Sequence, residues 1–140
     1  MPRLSLAFFS TGALFGLSGM IWGSIMGARN DFTLAPAHAH LNLLGWVALS
    51  VMGTFYALAG TRAPTRLGWI NFALSSLGVL VTIPALAKML SGDKGVLPFV
   101  EAGEGLVILG MLTFIAAIAS LWAPVPRVAA APGGLRAPAE

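Results

Sequence analysis

LSLAFFSTGALFGLSGMIWGSIMG, residues 4–27, contains no charged side chain. At about 1.5 Å per helical residue, such a run is long enough to cross roughly 30 Å of hydrocarbon. Lipid offers no water to satisfy backbone N–H and C=O groups, so the run must close its hydrogen bonds internally, as a helix. It is too long for the apolar core of a secretory signal, and no Ala-x-Ala-like site follows it, so it reads as a retained membrane helix. Three similar runs follow, predicting further helices over about residues 38–60, 67–90 and 99–123. Their charges fall near the ends: Lys88 late in the third, Glu101 and Glu104 early in the fourth. The predicted fold is all-α, a four-helix transmembrane bundle forming one domain over residues 1–123. Residues 124–140, rich in Pro, Ala and Gly, are expected to be a disordered cytoplasmic tail.

Composition agrees. Of 140 residues, 57% are hydrophobic and 9% charged, against about 25% charged in soluble domains. The bilayer is the natural solvent for such a surface. The chain has no cysteine, which excludes disulfides, iron–sulfur clusters, thiolate metal sites and cysteine nucleophiles. Its basic residues sit mostly at helix ends and read as topology signals rather than a nucleic-acid surface. Arg3, Arg62, Arg66, Arg127 and Arg136 share one side; Arg29, Lys88 and Lys94 share the other with four carboxylates. That bias predicts both termini in the cytoplasm, with Trp69 and Trp122 at the inner interface. Pro36 suits the first turn of the second helix, and Pro84 is expected to kink the third. Gly12, Gly16, Gly19, Gly23 and Gly27 form a stripe on the first helix. It allows close helix approach, either inside the bundle or between subunits.

With this topology the outer end collects unusual side chains: Met26, Asn30 and Asp31, then His38, His40 and Asn42, then Lys88, Met89, Glu101 and Glu104. Ionisable groups at membrane depth are costly and tend to face a cavity or the bundle interior. His38 and His40 are the two histidines. Two residues apart on a helix, they point about 200° apart. His40 opens the uninterrupted apolar run and is the better ligand candidate, while His38 is better placed for water or a second metal. Either can equally be an interfacial or capping residue. Glu101 and Glu104, at i and i+3, share a face. They suit a metal or a proton, a pairing of Glu101 with Lys88, or simply a solvated helix start. Met26 and Met89 lie at ligand depth but serve equally well as packing. Trp46 and Trp22 can wall a pocket or face lipid.

The run Pro36-Ala37-His38-Ala39-His40-Leu41-Asn42-Leu43-Leu44-Gly45-Trp46 resembles the start of the second transmembrane helix in the haem–copper oxidase subunit I superfamily. It is also similar to the corresponding helix of NnrS-type haem–copper membrane proteins. The likeness covers roughly residues 30–60. It implies that His40 is an axial ligand of haem b, with His38 supporting, and Trp46, Met26 and Met89 as cofactor-binding candidates. A full oxidase subunit has about twelve helices and many more histidines, so this chain cannot build the oxygen-reducing centre alone. It resembles one four-helix arc. The resemblance therefore implies a homo-oligomer, a trimer or dimer, in a bacterial cytoplasmic membrane, with electron transfer to a redox partner or binding of O₂ or NO as its work.

Two other classes stay open. One is a haem-free copper or zinc site built from His38, His40 and Glu101 or Glu104, since imidazole suits both metals. The other is a cofactor-free accessory subunit of a membrane complex. No nucleophile or general-base constellation is evident, so whether the chain is an enzyme is not assigned.

Overall fold

The computed structural model describes residues 1–122; the expected tail lies outside them. Four helices are long and apolar enough to span a membrane: α1 (Arg3–Arg29), α2 (Ala35–Arg62), α3 (Thr65–Leu90) and α4 (Lys94–Ser120). No strand occurs among the described residues. α2 begins earlier than the apolar run suggests because Pro36 sits in its first turn, where a missing N–H is harmless. Both histidines are therefore inside the helix. α4 likewise starts ahead of its expected position, through a short 3₁₀ turn at Lys94–Val96 with Pro98 in the following first turn. Asn30, at φ 51°, ends α1. α3 runs on through Pro84 without a break.

The helices alternate in direction, which gives the bundle two different ends. At the end holding the α2–α3 turn, aromatic rings from all four helices interlock. Phe8 stacks on Tyr56 at 5.4 Å and meets Phe72 edge-on at 5.2 Å, and Phe55 meets Phe114 edge-on at 5.1 Å. The Arg62 guanidinium donates to the Leu121 carbonyl at 2.9 Å, tying this turn to the end of α4. The opposite end, with the α1–α2 and α3–α4 turns, holds both histidines. There the core is smaller: Ala37, Ala85, Leu86 and Val100, with Trp22 and Met89 packed against it.

α3 packs against all three other helices. Half of its apolar window is buried inside the chain, against 17% for α4, so α3 is the spine and α4 turns most of its surface outward. Asn71, fully buried on α3, donates to the Gly110 carbonyl of α4 at 2.7 Å. A hydrogen bond of this kind replaces water that lipid cannot supply.

Candidate histidine site

The α1–α2 pair builds the site. Four glycines of α1 face four side chains of α2 spaced four residues apart. A Cβ at Gly23 would stand 2.8 Å from His38 Cε1, one at Gly19 2.5 Å from Asn42 Oδ1, one at Gly16 2.9 Å from Trp46 Cγ, and one at Gly12 3.3 Å from Ser50 Oγ. Each glycine is a notch that holds one partner. The fit is reciprocal, because Gly45 and Gly53 of α2 receive Phe15 and Phe8 of α1. The glycine stripe is thus covered within the chain from Gly12 to Gly23; at Gly27 a Cβ would meet nothing. From Gly12 to Gly23 it packs the hairpin.

A change in winding keeps this ladder in line. In an α-helix a four-residue step overshoots a full turn by about 40°, and three such steps would carry Ser50 well round from His38. From Leu41 to Ala48, however, α2 is π-helical. Its hydrogen bonds reach back five residues and each residue turns less, which takes the drift back. The same winding keeps His40 and Leu44 together on a different side of α2, where they line a groove with Glu104, Val107 and Ile108 of α4. Such π segments recur at functional sites, and this one starts directly after His40.

The two histidines accordingly have different surroundings. His38 is half-buried in its glycine notch. Its ring meets Trp22 edge-on at 6.4 Å, and the Asn42 amide lies 3.4 Å from its ring nitrogens. Asn42 Nδ2 also donates to the His38 carbonyl at 2.9 Å, adding to the Leu41 N–H where α winding passes into π. His40 is exposed on the α2–α4 groove, and its Nδ1 lies 2.8 Å from the Pro36 carbonyl. A carbonyl only accepts, so Nδ1 carries the proton and, in the neutral ring, Nε2 keeps its lone pair.

Of the remaining candidates, Glu104 shares the groove with His40 and Glu101 does not. Met26 is buried and Met89 sits in the small apolar core; neither lines the groove. Trp46 lies over Gly16, on the α1 side, and Trp22 against His38. Among the described residues no three His, Asp or Glu side chains converge to hold a metal ion. The structure therefore brings together Trp22, His38 and Asn42 in one place, and His40 and Glu104 in another. Asn42 was placed in the outer polar cluster but given no role, and the apolar walls Leu44, Val107 and Ile108 were not singled out. The four-residue spacing of His38, Asn42, Trp46 and Ser50 was the available signal for the first. Nothing local marks the walls, which come from two helices far apart in sequence. No protein-family model, no curated protein and no solved structure matches the chain.

Proposed function

We propose that this chain binds haem b near one membrane surface, with His40 as an axial ligand, in an assembly of more than one copy that transfers electrons or binds a diatomic gas such as O₂ or NO. The observation that carries this reading is the His40 ring, whose Nδ1–H is secured by the Pro36 carbonyl at 2.8 Å. Metal-bound histidines hold their second nitrogen in this way, which fixes the tautomer and the ring direction. The donor set fits haem as a half-site: one imidazole on a groove walled by Leu44, Val107 and Ile108. Haem, when bound, supplies one-electron chemistry or an iron position for a diatomic ligand.

The chain's own residues do the rest. His40 would hold the group, and the apolar walls Leu44, Val107 and Ile108 would exclude water from the groove. Glu104 places a carboxylate in the same groove, and a nearby negative charge favours the more positive, oxidised iron. No second histidine or methionine of the described chain lines this groove, so a further donor would come from another copy, in a dimer or trimer. The exposed apolar residues Ile108, Leu112 and Ile115 of α4 continue outward from the groove and suit such a contact. The same reading places both termini in the cytoplasm of a bacterial cell, as the arginine bias favours.

The test is an absorption spectrum of detergent-purified protein, oxidised and reduced, with and without CO. A Soret band is expected, lost in His40→Ala and kept in His38→Ala. A colourless protein after expression with ample haem, or an unchanged spectrum in His40→Ala, sinks the reading. His40 and Glu104 lining one groove favours one second reading, copper or zinc shared between copies that each give one nitrogen and one oxygen donor. Elemental analysis finding stoichiometric metal without haem selects it.

A further inference from the structure

We propose that a second face of α3 binds one anionic glycerophospholipid, with an acyl chain lying in an apolar trough and the headgroup on Lys88. This stands independently of haem. Two grooves, about 320 and 200 Å³ in volume, share Leu80 and Pro84 as lining residues. One continues between α3 and α4 to Lys88 and Phe99; the other lies among α1, α2 and α3 and reaches Phe15 and Leu41. The trough proposed for the acyl chain is the larger of the two, and neither shares a lining residue with the His40 groove. From Leu80 to Lys88 alone it runs roughly 12 Å along the helix, a length suited to much of an acyl chain.

Pro84 forms part of the trough wall. It has no N–H, so the Leu80 carbonyl loses its usual partner one turn on. Lys88 is the single charged side chain lining either groove. It is exposed in the last turn of α3, just before the Ser91 cap. Its carbon stem can follow the groove wall while its ammonium reaches headgroup depth. Asp93, Lys94 and Glu101 lie at the same end of the bundle but line neither groove. Any acyl chain fills an apolar trough in a bilayer; the lysine at its mouth is what selects an anionic headgroup. One lysine near such a headgroup favours it by about fivefold.

The test uses the full chain in detergent with equimolar phosphatidylglycerol and phosphatidylcholine, read by native mass spectrometry. One phosphatidylglycerol per chain is expected, in about fivefold excess over phosphatidylcholine. The excess is expected to fall to parity in Lys88→Gln, to persist in Lys88→Arg, and to shrink with added salt in the unmodified protein. Leu80→Trp, which fills the trough, is expected to lose both lipids while tryptophan-monitored melting is kept. Parity in the unmodified protein overturns the proposal, as does a preference that survives Lys88→Gln or high salt. Equal competition by oleate also overturns it, because the headgroup would then not be read. A lipid-free dimer that covers the trough does the same.

Discussion

The two helical hairpins are both cemented by small residues, but they use them differently. In α1–α2 the glycines receive side chains: His38, Asn42, Trp46 and Ser50 settle into notches. In α3–α4 they admit backbone. A Cβ at Gly78 would stand 2.8 Å from Val107 N and 3.0 Å from the Gly103 carbonyl, and one at Gly103 would stand 2.7 Å from Thr82 N. Side chains can rotate away from an intruding methyl, whereas a helix backbone cannot without moving the helix. The α3–α4 pair therefore behaves as a scaffold, and the α1–α2 pair as a display in which side-chain placement is the product. The histidines sit on the display, and the groove that His40 shares with Glu104 exists because α3 holds α4 in place beside α2.

The largest effect that tests this contrast is expected from Gly103→Val. With backbone on the opposing side, overpacking is expected to cost about 3 kcal/mol or to prevent α3–α4 pairing, read by tryptophan-monitored melting. A variant as stable as the parent breaks the scaffold half of the comparison. Gly19→Val is expected to cost less, about 1–2 kcal/mol, because it displaces the Asn42 amide rather than a helix. Asn42→Leu should follow at about 1 kcal/mol, since it removes one donor to the His38 carbonyl. If haem is present, both should also shift its spectrum through the winding next to His40, while Gly103 variants that fold should not. Equal spectral changes from both hairpins would erase the distinction.

A smaller effect of opposite sign sharpens it. At Gly105 and Gly27 a Cβ meets nothing within 4 Å, so alanine there is expected to stabilise by about 0.5–1 kcal/mol through helix propensity alone. Destabilisation at either position would mean that another surface covers it. The smallest effect concerns the α1–α2 turn. The hydrogen bond from the Thr33 side chain, with the Thr33 N–H at 3.0 Å, holds the Asp31 carboxyl below its ordinary 3.8. A lowered folded value stabilises the fold above pH 3.8, and that contribution is lost as pH falls through the lowered value. Asp31→Asn is expected to lower stability slightly at neutral pH, to flatten this acid limb, and to leave stability unchanged below the lowered value.

The helices were legible because charge exclusion from hydrocarbon is a one-dimensional signal. Pro36 marked the first turn of α2, as the structure shows, whereas the start of α4 was less legible, because Pro98 and a 3₁₀ turn draw it back to Lys94. The divergence of His38 and His40 was readable from helical geometry alone. What stayed hidden was which neighbour each would meet. The placing of His40 and Glu104 on one groove spans sixty-odd residues of sequence and depends on how α3 sets α4 against α2. The π winding was also hidden, because backbone hydrogen-bond register responds to what the opposing helix will accept, here the spacing of the notches in α1.

The sequence by itself determined that this chain lives in lipid, that it crosses four times as helices, and that its ionisable side chains gather toward one end. The energy of placing charge and bare peptide groups in hydrocarbon is large enough to decide these matters residue by residue. The tertiary structure alone decided that the glycine stripe faces inward, that Asn42 attends His38, and that His40 opens onto a groove with Glu104. Those outcomes rest on van der Waals fit between helices, in which many small terms of similar size compete, and only their sum in three dimensions selects the partners.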